Sequence, residues 1–306
     1  MTASVVLDAN VYRRRPLDAA WFAALIEAER GRGIAPYADP WVLMELLGHL
    51  ADPADPAFNI CRAAVGRIFD RCASKDDGRP RGLINDSESQ IARLITGRPL
   101  PGHEEATAHL GAVCAAVAIT PPGEPLTSVD PALKYYKEHT ATMEQWFADH
   151  FRAQRAIKDE VLSRIEDEDE RKEVRRVAIR ELADSEVIRS GLVEAIIRGA
   201  FRDVGLPVPD AIDPEMVKSV RVTIPVGIEF HAQMMKTAIY DEANLDSSRV
   251  RNLMWDERIS YAIGHELEGG PVWFVTDDDR FAAAASAVGL GDRVWALAAY
   301  EDWLRR

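Results

Sequence analysis

Two short apolar runs without alternation lie near opposite ends of the chain: Val5-Val6-Leu7 and Val272-Trp273-Phe274-Val275. Runs of this kind predict strands covered on both faces, as in the centre of a parallel sheet. Between them the period becomes that of helices. Trp21, Phe22, Leu25 and Ile26 predict a helix over 17–30, with Gly31 and Gly33 at its C-terminal end. A second strand is expected over 34–37. Asp39-Pro40 then opens a helix, with Asp39 as N-cap and Pro40 in the first position. That helix, WVLMELLGHL, is apolar nearly all round and should be buried. Further helices are expected over 58–73, 87–95 and 104–118.

The middle of the chain has a different texture. From 130 to 201 the pattern is helical and heavily charged, with apolar stripes at Val161, Leu162 and Ile165 and at Leu192, Val193, Ile196 and Ile197. The run EDEDERK over 166–172 reads as a solvated turn or helix face. Residues 205–210 read as a linker. Residues 223–240 read as a helix after Pro225, with a strand over 220–224 as an open alternative. The α/β texture then returns, with a helix over 247–265, a strand over 272–276 and an alanine-rich helix over 280–288. Gly289 and Gly291 break that helix, a short strand begins at Val294, and a last helix covers 299–304. The expected fold is therefore α/β, with a central mostly parallel sheet. Residues 1–99 and 245–306 form the core, and 100–244 form a mainly helical insertion or lid.

With 47% hydrophobic residues among 306, the chain can build one large domain or two ordinary ones. Its formal charge of −13 argues against a broad, non-specific grip on duplex nucleic acid, which needs a basic face. A local cleft for a few phosphates is still compatible with it. Cys61, Cys72 and Cys114 have no metal-ligand spacing and suggest free thiols in a reducing, cytoplasmic setting. No apolar run approaches the roughly 20 residues of a membrane helix.

Against this background four acidic positions stand out. Asp8 ends the first strand. Glu45 is the only charge in 41–50. Asp256 shares a helix face with the apolar Leu253, Ile259 and Ile263. Asp277-Asp278-Asp279 follow the second strand. An ionised carboxylate is costly to bury unless a cation meets it. Four of them, converging where parallel strands end and α/β sheets bind ligands, suit a hard cation such as Mg²⁺ or Mn²⁺. Asn10 could orient a carboxylate or contact a phosphate, and Arg13, Arg14 and Arg15 are the best-placed candidates for phosphate contact, with a solvated turn as their plainer role. Plainer roles compete: Asp8 as a turn cap, Glu45 paired with a remote arginine, and one of the three aspartates capping the next helix. Asp246 rivals Asp256, Asp277 rivals Asp278, and His49 lies one turn after Glu45. Trp255 belongs either to the core or beside a base. His265-Glu266 lacks the second histidine of a zinc helix, and no glycine-rich phosphate loop is present.

In the order strand-Asp, helix-Glu, helix-Asp, strand-Thr-x-Asp, these segments resemble the PIN-domain family of metal-dependent nucleases. VVLDAN resembles its opening strand, WVLMELLGHL its glutamate helix, MWDERISYAI its third-acid helix, and FVTDDDRF its Thr-x-Asp strand end. The resemblance covers about 1–75 and 245–306 and says nothing of 76–244. It implies a three-layer α/β core and an Mg²⁺- or Mn²⁺-dependent endoribonuclease, in many cases a toxin of a toxin–antitoxin pair. Asp8, Glu45, Asp256 and Asp278 would be the catalytic metal ligands. Asn10, Thr276, Arg13, Arg14 and Arg15 would contact substrate. RNA is the implied partner; a protein inhibitor docking on the helical insertion, and an oligomer, fit the same picture. Two other readings stand beside it: a PIN-like module that binds RNA or protein without cleaving, and a phosphatase-like or receiver-like protein, which an apolar helix carrying Glu45 fits poorly.

Overall fold

The computed structural model describes residues 3–14, 18–73, 82, 87–184, 186–240, 243–267 and 270–306. Arg15 and the expected helix start at Leu17 lie outside them. The chain begins with β1 (Ser4–Leu7), α1 (Ala9–Arg14), α2 (Ala19–Gly31), β2 (Ala35–Tyr37) and α3 (Pro40–Gly48). Six helices follow: α4 (Phe58–Cys72), α5 (Ser87–Thr96), α6 (His103–Ile119), α7 (Asp130–Ser163), α8 (Glu168–Asp184) and α9 (Glu186–Asp203). Then come α10 (Pro214–Thr223), α11 (Pro225–Met235) and α12 (Ser248–Ser260). The chain closes with β3 (Glu266–Leu267), β4 (Gly270–Val275), α13 (Asp279–Ala287), β5 (Val294–Trp295) and α14 (Leu297–Arg305). It is a mostly helical α/β protein built on a small, mostly parallel five-strand sheet.

The sheet runs β2-β1-β4-β3, with β5 also on β4. β1 is parallel to β2 and β4, β5 is parallel to β4, and only β3 is antiparallel. Val5, Val6 and Leu7 are fully buried, as are Val272, Phe274 and Val275. Burial on both faces explains why these strands read as continuous apolar runs. The register pairs Leu7 with Val275, so Asp8 and Thr276 leave the sheet side by side.

Several helix starts follow the expected chemistry. Asp39 accepts a 2.7 Å hydrogen bond from the Trp41 amide ahead of α3, with Pro40 at its first turn. Asp213 caps α10 in the same way. Residues 220–223 therefore belong to a helix, not to the alternative strand: Val220 and Ile224 lie four apart and are both fully buried. α12 stops at Ser260, short of the expected 265, because the chain turns through Gly264, whose φ of +108° suits glycine, before entering β3. Neither α1 nor β3 was expected. Both are short, and their sequences carry too few periods to reveal them.

The main core joins the sheet to helices from the whole length of the chain, including Leu110 and Cys114 of α6, Leu133 of α7 and Phe230 of α11. A buried ion pair underlies β1. The Arg71 guanidinium makes two 2.8 Å bonds to Glu29, and it also donates to the Val5 carbonyl and the Tyr12 hydroxyl. Tyr300 donates to Glu29 at 2.7 Å. This network locks α1, α2, α4 and α14 around the strand that ends at Asp8. Among the described residues no helix is long and apolar enough to cross a membrane. Cys61, Cys72 and Cys114 are buried and free.

Candidate functional site: an acidic cluster at the ends of β1 and β4

The end of β1 places Asp8 where only 1% of its surface is exposed. Its backbone extends the ladder by donating to the Val275 carbonyl at 3.0 Å. Its carboxylate accepts from Thr276 Oγ1 at 2.7 Å and from Asn10 Nδ2 at 3.2 Å. Both residues expected near the acids on the sequence pattern thus hold Asp8 in place. Burial pushes the Asp8 pKa up, while the bonds from Thr276 and Asn10 oppose the rise without cancelling it.

Thr276 links Asp8 to the next acid, because its hydroxyl accepts from the Asp278 amide at 3.1 Å. Asp278 is the N-cap of α13 and accepts from the Arg280 amide at 2.9 Å. The Arg280 guanidinium bridges Asp278 and Asp256, lying 2.7 Å from Asp256 Oδ2. Partial burial would raise the Asp278 pKa, but Arg280 more than offsets it and holds that carboxyl below the usual range. Asp256 is different. Burial, reinforced by Asp8, Asp278 and Glu45, pushes it up to about 8 against the pull of Arg280. Thr276 and Arg280 thus join Asp8, Asp278 and Asp256 in one bonded chain. Glu45 pairs with Arg13, whose Nη1 lies 2.9 Å from Oε1, the remote arginine of its plainer reading, and its carboxyl also feels the charge of Asp8. Its pKa is also raised, by burial first, with Arg13 opposing.

The other candidates are placed elsewhere. Asp277 turns away and accepts from the Leu297 amide at 3.0 Å, at the start of α14, while pairing with Arg14. Asp246 lies at the far end of α12 and pairs with Arg152. His49 pairs with Asp55 at 3.0 Å. Trp255 is buried, and its indole donates to Glu144 at 3.0 Å, so it is a packing residue. Arg13 and Arg14 are each paired with an acid. Arg15 lies outside the described residues. Sequence reasoning missed Arg280, the residue that joins two of the acids. Its position two after the helix-capping Asp278 was the available signal, since a long cation in the first turn can fold back over its own cap.

The cluster offers only hard oxygen donors, the set that Mg²⁺ and Mn²⁺ take and that softer metals do not select. Asp8, Glu45, Asp256 and Asp278 carry four potential negative charges against the two of Arg13 and Arg280. When all are ionised, two charges are uncompensated, the complement of one divalent ion. As the side chains stand, however, no group of three or more His, Cys, Asp or Glu among the described residues is arranged to hold a metal. Arg280 occupies the space between Asp256 and Asp278, and Arg13 covers Glu45, so a metal would require both to draw back. Arg280 is 42% exposed and has room to do so.

Fold and site together define an α/β protein with a buried carboxylate cluster at the carboxyl ends of parallel strands. Compared with protein families, with curated proteins and with solved structures, the chain matches none.

Proposed function

We propose that the cluster is the metal site of a PIN-like endoribonuclease that hydrolyses RNA phosphodiester bonds with Mg²⁺ or Mn²⁺. The observation that carries this reading is the surplus of buried carboxylate: Asp8 and Asp256 are nearly inaccessible, and two arginines cannot neutralise four acids. Without a further cation these carboxyls ionise only at a cost in stability, which is why burial raises the pKa of Asp8, Glu45 and Asp256. Asp8, Glu45, Asp256 and Asp278 would hold the ion, which when bound supplies Lewis acidity toward water and the phosphate oxygens. Thr276 and Asn10 fix the orientation of Asp8. In this reading Arg280, displaced from Asp256, would contact the scissile phosphate, and Arg13 a neighbouring one. The resulting ends would be 5′-phosphate and 3′-hydroxyl. The preference for RNA, and a role as toxin or defence effector, rest on the PIN resemblance alone.

The test is end-mapped cleavage of total RNA. Wild-type protein should cut with Mn²⁺ and stop in EDTA, and Asp8→Asn should lose cutting while keeping its circular dichroism spectrum. Cutting that survives EDTA would refute the hydrolytic mechanism.

A second reading, a PIN-like module that binds RNA or a protein without cleaving, is favoured by the arginines seated among the acids. Under it, the ion pairs are the finished structure. The two readings part on thermal melting: a catalytic site predicts that Mn²⁺ raises Tm in the wild type and not in Asp8→Asn. A silent module predicts no Mn²⁺ effect in either.

A further inference from the structure

A cavity of about 780 Å³ opens between α7, α9, α11 and α12, away from the acidic cluster. This is the size range of small-molecule sites. α12 is the wall between the two places. Asp256 serves the acidic cluster, while its neighbour Glu257, about 100° further round the helix, faces the cavity. Much of the lining is apolar and adaptable, including Phe147, Phe151, Leu192, Met235 and Met254. Gly191 and Gly199 of α9 also line it, and a Cβ on either would meet nothing within 4 Å.

The polar groups in this wall are ordered. Glu257 Oε1 accepts from Tyr261 Oη at 2.9 Å and faces His231 Nδ1 at 3.0 Å. A carboxylate only accepts, so Nδ1 of His231 carries the proton, and in the neutral ring Nε2 is an acceptor. Tyr261 is fixed in turn by Gly227 of α11, where any side chain would collide with its ring. At the cavity edge Trp146 keeps 63% of its surface exposed, and the His150 ring lies 5.9 Å from it at 23°, a flat aromatic shelf. An acyl chain would leave the His231 acceptor unanswered, which is unfavourable in an apolar wall. A metal does not suit it either, since His150, His231 and Glu257 do not form a metal-holding group.

We propose that this cavity binds a planar heteroaromatic ring carrying a hydrogen-bond donor, of purine or pyrimidine type, stacked against Trp146 and donating to Nε2 of His231. Such a ring is available either as a free nucleoside or nucleotide or as a base of an RNA strand. The site is independent of the nuclease reading, because none of its groups belongs to the acidic cluster.

The experiment uses the full chain in EDTA, with the Asp8→Asn protein in parallel, so that cleavage cannot contribute. Adenosine, guanosine, cytidine and uridine are titrated by tryptophan fluorescence and calorimetry, and a single-stranded hexanucleotide of mixed sequence forms the second arm. At least one probe should bind saturably. Trp146→Ala, at an exposed position, should weaken it by about tenfold or more, the usual effect of removing a stacking partner. His231→Phe should weaken it too. Gly199→Leu, which fills the cavity from α9 and improves helix propensity, should abolish binding without loss of Tm. Binding by a nucleoside would identify a free ligand. Binding by the hexanucleotide alone, lost in Gly199→Leu, would identify a base of a strand. If no probe saturates, or if binding is unchanged in both Trp146→Ala and Gly199→Leu, the proposal is overturned.

Discussion

At the scale of single residues, the decisive quantity is the burial of charge. Asp8, Glu45 and Asp256 all titrate above the ordinary carboxylate range, with burial as the leading cause. For Asp256 the folded protein holds a proton that the unfolded chain has released between its ordinary value of 3.8 and about 8. Native protein then binds more protons than unfolded chain, so stability is fullest at low pH in this window and declines as pH rises through it. In EDTA the urea midpoint should fall between pH 5 and pH 8, and Asp256→Asn should flatten the fall. A wild-type midpoint that climbs across the same interval would mean that Arg280 outweighs burial. The Arg71–Glu29 pair gives the opposite case, a buried charge with its partner in place. Arg71→Met should destabilise by about 3–5 kcal/mol, because Glu29 is then buried without a cation. Tyr300→Phe removes one hydrogen bond to the same carboxylate and should cost about 1 kcal/mol or somewhat more. Urea unfolding of the two variants checks the ranking.

At the scale of elements, the helices that build the site start from side-chain caps. Asp39 places α3, and with it Glu45, relative to β2. Asp39→Ala should lower stability by about 1 kcal/mol and, under the proposed function, weaken Mn²⁺ binding by more than a surface substitution does. An unchanged Mn²⁺ titration in that variant would show that α3 holds its position by packing alone. α12 is the most consequential element, since consecutive residues on it face the acidic cluster and the cavity. Its sequence showed the face carrying Leu253, Asp256, Ile259 and Ile263 by periodicity, but Glu257 and Tyr261 gave no such signal. They became legible only once α11 supplied His231 and the gap at Gly227.

At the scale of the whole molecule, a net charge of −13 limits how, under the proposed function, RNA would be held. Arg13 and Arg14 are each engaged with an acid, so few cations near the cluster are available for phosphate. Each phosphate neutralised on a single strand adds roughly −0.7 to the slope of log K against log salt. Two to four contacts imply a slope of roughly −1.5 to −3. Joint replacement of Arg13 and Arg14 by alanine should flatten it. A slope near −6 would require an extensive basic surface, and a slope unmoved by the double replacement would place the grip elsewhere, with Arg171, Arg175 and Arg176 of α8 as the next candidates.

The sequence by itself determined the two buried strands, most of the helices and the acidic positions worth attention. Each of these is written in a short-range pattern: an unbroken apolar run, a 3.6-residue period, a cap before a helix, or a lone charge among apolar neighbours. Tertiary structure alone decided the pairings. That Thr276 holds Asp8 across 268 positions, that Arg280 bridges Asp256 and Asp278, and that Arg13 meets Glu45 follow from the register of β1 on β4 and the docking of α12 and α3. The same holds for the choice between Asp277 and Asp278, which stand next to each other in sequence. Only the direction of the chain leaving β4 turns one toward α14 and the other into the cluster. A local pattern can say that a carboxylate will be buried. Which cation meets it depends on where distant elements come to rest, and no period in the chain encodes that.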